Sequence, residues 1–66
     1  MVGKRIKDYL ESNGIKQSFV AEKVGIPASQ LSEICNKGRI IDCTIYYKIC
    51  KVLNVPFETF LEEGEE

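Results

Sequence analysis

An all-α domain of five helices is predicted by three features of the chain. Apolar residues recur at spacings of three and four, and no stretch alternates with the period of two that marks a strand. The breaks between these stripes fall on turn-forming residues: Asn13-Gly14, Gly25-Ile26-Pro27, Asn36-Lys37-Gly38 and Asn54-Val55-Pro56. The links are short, so successive helices must pack directly on one another. A chain of 66 residues makes a single domain over 1–66. It buries only about 60% of its unfolded surface, which leaves little room for both a core and an enclosed catalytic pocket.

The first helix is expected over 2–13, with Val2, Ile6, Tyr9 and Leu10 on one stripe and Lys4, Lys7, Asp8 and Glu11 off it. Asn13-Gly14 is a left-handed stop. Ile15 should turn inward as the second helix begins near Gln17. Lys16 stands where Ser or Thr would cap, so that start is poorly capped. Val20, Ala21 and Val24 form the second stripe; Phe19 lies off it, either partly covered or marking a contact surface. Gly25 falls where a positive φ would end the helix and turn the chain sharply. The third helix is expected from Pro27 or Ala28 to Cys35 or Asn36, with Leu31, Ile34 and Cys35 inward. Pro27 suits the first turn, where a missing N–H costs nothing.

Arg39-Ile40-Ile41 is a connector with two bulky apolar residues. One is expected to fold onto the core, and the other, if exposed, is a candidate interface residue. Asp42 reads as the N-cap of a fourth helix over about 43–53. Its apolar set (Cys43, Ile45, Tyr46, Ile49, Cys50, Val52 and Leu53) is too wide for one partner. Either this helix is central to the core or part of it faces a second subunit. Phe57, Phe60 and Leu61 predict a fifth short helix over about 57–63, with 63–66 frayed.

The formal charge of −1 is unevenly spread. Residues 1–57 hold all nine basic residues against five acidic ones, a net +4, and 58–66 hold the other five acids. A DNA-binding body with an acidic tail has this pattern; so does any solvated Glu-rich end. Cys35, Cys43 and Cys50 form no C-x-x-C pair, and there is no histidine to complete a zinc site. They are expected to be small buried hydrophobes in a reducing compartment. No metal, cofactor or small-molecule ligand is expected. No apolar run approaches the ~18 residues of a membrane span, and the amphipathic start lacks the apolar block of a signal peptide. A cytoplasmic protein is expected. Without histidine, a Gly-rich phosphate loop or paired carboxylates outside the tail, catalysis is not expected.

Helices two and three, joined by so short a turn, form a helix-turn-helix, the unit that lays its second helix in a DNA major groove. A plain αα-hairpin in a small bundle would show the same spacing. Three longer segments bear on the choice. IKDYLESNGIKQ, FVAEKVGIPASQLSEI and YYKICKVLNVPFETFL occur in that order between Ile6 and Leu61. They resemble the first helix and Gly turn, the Leu-Ala-x-x-x-Gly-Val/Ile signature with its recognition helix, and the fourth helix of the XRE family. That family includes phage Cro and repressor DNA-binding domains.

The resemblance implies a compact five-helix lambda-repressor-like domain that binds operator DNA, commonly as a homodimer. It places Ala28, Ser29, Ser32 and Glu33 at base-facing positions of the recognition helix. It places Gln17 at a phosphate-contacting position, and Asn36, Lys37 and Arg39 in the post-helix region that meets the backbone. Lys16, beside Gln17, joins the phosphate group. By chemistry, Ala28 suits a thymine methyl, the two serines suit donors or acceptors, and Glu33 suits a cytosine N4 amine.

Some positions depart from the family. Many members carry a buried Arg–Glu ion pair where this chain has Leu10 and Cys35. Apolar packing can replace such a pair without loss, so contact between Leu10 and Cys35 is expected. The function that follows is sequence-specific regulation of transcription, as a repressor. The alternative is a protein-interaction module, such as an antitoxin or an accessory regulator pairing with another protein; the acidic Glu33 keeps it open.

Overall fold

The computed structural model describes residues 2–61. Four α-helices run in order: α1 Val2–Ser12, α2 Gln17–Val24, α3 Ala28–Lys37 and α4 Cys43–Leu53. A single 3-10 turn, Phe57–Phe60, follows. There is no strand among the described residues. The expected fifth helix over 57–63 is therefore corrected to one turn, and residues 62 and 63 lie outside the described part, as does the expected fraying of 63–66. Leu61 is extended at φ −79, ψ 143, so the chain leaves the turn at once.

Each α-helix ends for a local reason. Gly25 adopts φ 93 and its N–H returns to the Ala21 carbonyl, which allows the chain to reverse into Pro27 within three residues. The end of α4 uses Asn54 in the same left-handed region, at φ 59. Its start is capped as expected: Asp42 accepts from the Thr44 N–H at 2.9 Å. The start of α2 has no side-chain cap at Lys16, also as expected.

The helices bury one continuous apolar cluster. Ile6 and Leu10 enter from α1, Val20, Ala21 and Val24 from α2, Leu31, Ile34 and Cys35 from α3, and Tyr46, Ile49 and Cys50 from α4; Phe60 closes it. Full burial of a side chain of this size contributes about 1.5–3 kcal/mol. Leu10 and Cys35 are both inside this cluster, on the two helices that pack most extensively, α1 and α3. Gly3 marks their closest approach: a Cβ built there would lie 1.9 Å from the Ile34 carbonyl oxygen.

Two expectations about the fourth helix are sharpened. It is not buried all round. Tyr46, Ile49 and Cys50 face the core, Ile45, Val52 and Leu53 are half-buried, and Tyr47 is exposed. Cys43 is exposed, not buried as expected. Helix Cα–Cβ bonds tilt toward the N-terminus, so a side chain on the first residue overhangs the helix end. In the connector, Ile41 packs against the core and Ile40 is 92% exposed.

Candidate nucleic-acid interface

The core-facing stripe of α3 fixes what remains outside. With Leu31, Ile34 and Cys35 turned inward, Ala28, Ser29, Glu33, Asn36 and Lys37 are exposed and Ser32 is half-buried. These residues share one outward surface of a helix that projects from the α2–α3 turn. The helix begins at Pro27 with no side-chain cap. Its first amides therefore point outward at the positive end of the helix dipole. The start of α2 is alike: Lys16 is exposed, Gln17 is half-buried, and no side chain caps the helix. Each uncapped start leaves backbone N–H groups free for anionic oxygens, and the start of α2 adds a lysine and an amide side chain.

Four of the outward side chains are already engaged with one another. Asn36 Nδ2 donates to the Ser32 carbonyl at 3.0 Å and to Ser32 Oγ at 3.1 Å. This leaves the serine hydroxyl proton free to donate. Arg39 Nη1 donates to Glu33 Oε1 at 2.7 Å. The Glu33–Arg39 pair spans the end of α3, where Gly38 at φ 69 brings Arg39 back alongside the helix. Exposed pairs of this kind contribute about 0–1 kcal/mol to stability, so their interest lies in position.

Beneath this surface the chemistry is inert. The Cys35 thiol is pushed up from its ordinary value by burial, with the nearby Lys7 ammonium pulling partly back. Burial also raises the Cys50 thiol. Neither is placed to act as a nucleophile.

The Helix-turn-helix family model matches residues 6–60. The chain belongs to the XRE-type helix-turn-helix family. It is 37% identical over 68 residues to the HTH-type transcriptional regulator SinR of Bacillus subtilis (strain 168), and equally to that of Bacillus licheniformis. Each alignment covers all of this chain and 60% of the relative, so the chain spans about 60% of the length of these curated relatives. The solved N-terminal DNA binding domain of SinR from Bacillus subtilis superposes with a TM-score of 0.81 at 36% identity, covering all of this chain and 97% of that one.

Within this helix-turn-helix, the residues expected at base-facing positions (Ala28, Ser29, Ser32 and Glu33) lie on α3 away from the core. Lys16 and Gln17 lie at the head of α2, and Asn36, Lys37 and Arg39 at the foot of α3 and just beyond. Two features were not anticipated from sequence. Glu33 is paired with Arg39, six residues on and beyond the end of the helix. Ser32 and Asn36 are joined at helical spacing, and that i, i+4 relation was the available signal. Phe19, outside this surface, is half-exposed with the Lys23 ammonium 5.6 Å from its ring centroid. The ring is thus partly covered by its own helix. No described helix is long and apolar enough to cross a membrane.

Proposed function

We propose that residues 1–66 act as one domain that binds double-stranded DNA sequence-specifically and regulates transcription as a repressor, with α3 in the major groove. The observation that carries this reading is the superposition of the whole chain on a solved DNA binding domain at 36% identity. The outward residues of α3 support it. In this reading Ala28, Ser29, Ser32 and Glu33 meet base edges, and Lys16, Gln17, Asn36, Lys37 and Arg39 meet phosphates. Phosphate contacts set the register, and the short polar side chains of α3 supply discrimination.

One recognition helix covers a few base pairs, so a homodimer on two half-sites about one DNA turn apart is the working unit. The exposed Ile40, Tyr47 on the outer face of α4, and Phe57 beyond it are among the apolar residues available to a second copy. The same exposed Ile40 supports the second reading, in which the fold pairs mainly with another protein.

The test is fluorescence anisotropy of labelled duplexes: DNA from upstream of the chain's own gene and a shuffled control, each at low and near-physiological salt. The expected result is preference for the native duplex that survives added salt, with two protomers per duplex at saturation. Weak binding to both duplexes, lost together as salt rises, would overturn this reading and turn the search to a protein partner.

A further inference from the structure

The foot of α3 holds a contact that plain DNA binding does not require. The Glu33 carboxylate takes Arg39 Nη1 at 2.7 Å, and the backbone sets up this meeting. Gly38 is left-handed at φ 69, and the N–H groups of Gly38 and Arg39 both return to the Glu33 carbonyl. Arg39 is therefore tethered beside Glu33 before its side-chain torsions are chosen. Both side chains are about half exposed, at 49% and 48%, so a phosphate or a base edge can reach either one.

The two groups have opposite relations to a duplex. A guanidinium binds a phosphate in a two-pronged geometry. A carboxylate on the same surface is repelled by phosphates, and its usual partner among the bases is the cytosine N4 amine. The contact holds one guanidinium N–H and one carboxylate oxygen, so a phosphate and a base amine each compete with it for part of the pair.

We propose that Glu33 and Arg39 form an exchange clasp, in which Arg39 is released to a phosphate more readily when Glu33 meets a cytosine amine. The inference rests on the DNA-binding reading above. Where no cytosine amine lies within its reach, opening the clasp leaves the carboxylate unpaired among phosphates. The pair is then closed more of the time, and Arg39 engages the backbone less. Opposite cytosine, the N4 amine replaces the guanidinium as the partner of Glu33, and Arg39 turns to the backbone. Glu33 thus acts as an internal stand-in for phosphate. It reads sequence twice, once by its own bond and once by controlling Arg39.

The experiment uses the full chain and two variants, Glu33→Gln and Arg39→Gln, with circular dichroism to verify folding. A pool of random-sequence duplexes is enriched on the wild-type protein. The enriched duplex and its single-base variants are then titrated across a range of salt. Each neutralised phosphate steepens the dependence of log affinity on log salt by about 0.9. For wild type, replacing one particular cytosine should flatten the slope by up to about 0.9 per protomer. Glu33→Gln should show the steep slope on both duplexes and bind the substituted one about two- to five-fold more tightly, the scale of an exposed ion pair. Arg39→Gln should show the shallow slope on both. Equal wild-type slopes on every duplex, or unchanged slopes in Glu33→Gln, would overturn the clasp while leaving DNA binding intact. Failure to enrich any sequence would overturn the clasp and the sequence-specific reading together.

Discussion

Gly3 controls how closely α1 approaches α3. A methyl group there would sit 1.9 Å from the Ile34 carbonyl oxygen and 2.9 Å from its carbon, and neither is a flexible side-chain end. Gly3→Ala should therefore destabilise the fold by about 1–3 kcal/mol. The substitution would otherwise help, since alanine improves helix propensity by about 1 kcal/mol. Urea unfolding gives a clear sign: the midpoint should fall, and a raised midpoint would show that the helices separate freely. Gly3 was not legible in the sequence, because a glycine contributes nothing to an apolar stripe. The site was partly legible at this same scale. Ala28, Ser29 and Glu33 are outward because they alternate with Leu31, Ile34 and Cys35, and that follows from spacing alone. The Glu33–Arg39 pair depends on the turn at Gly38 and on rotamers, which spacing does not specify.

At the scale of elements, the piece with the least helix of its own is bonded at both ends by one side chain of α4. The Tyr46 hydroxyl donates to the Phe57 carbonyl and accepts from the Phe60 N–H at 3.3 Å, so it grips both ends of the 3-10 turn. The rings reinforce this grip. Tyr46 meets Phe57 edge-on with centroids 4.8 Å apart, and Tyr9 of α1 meets Phe60 at 5.5 Å. Tyr46→Phe keeps the rings and removes the hydroxyl, leaving the Phe60 amide without that partner. The expected cost is about 1–3 kcal/mol. Hydrogen exchange should also speed selectively at Phe60, whereas α2 and α3 should keep their relative protection; uniform loss would mean the turn is not separately anchored. The four α-helices were readable because each carries an apolar stripe over eight or more residues, ended by a turn residue. The last element was misjudged because Phe57, Phe60 and Leu61 fit periods of 3.0 and 3.6 equally well over so short a run. The anchoring from Tyr46 comes from eleven residues away.

For the whole molecule, the core sets a pH limit on the alkaline side. No charged residue is buried among the described ones, but three buried groups become anions when they lose a proton: Cys35, Cys50 and Tyr46. Burial is the largest cause raising all three above their ordinary values, 9.0 for the thiols and 10.0 for the phenol. The Lys7 ammonium offsets part of the rise at Cys35, and the Phe60 N–H part of the rise at Tyr46. An unfolded chain releases these protons at the ordinary values, while the folded chain still holds them. The stabilisation is thus complete below about pH 8, and stability falls as pH rises through 9 and beyond. Each proton by which the two states differ contributes about 1.4 kcal/mol per pH unit. Thermal unfolding followed from pH 7 to 10.5 should show Tm steady at first and then falling steeply. Cys35→Val fills a similar volume with a group that cannot ionise, so its Tm should fall less over the same range. If wild type and Cys35→Val lose stability in parallel, the buried thiol is not the source of that part of the slope.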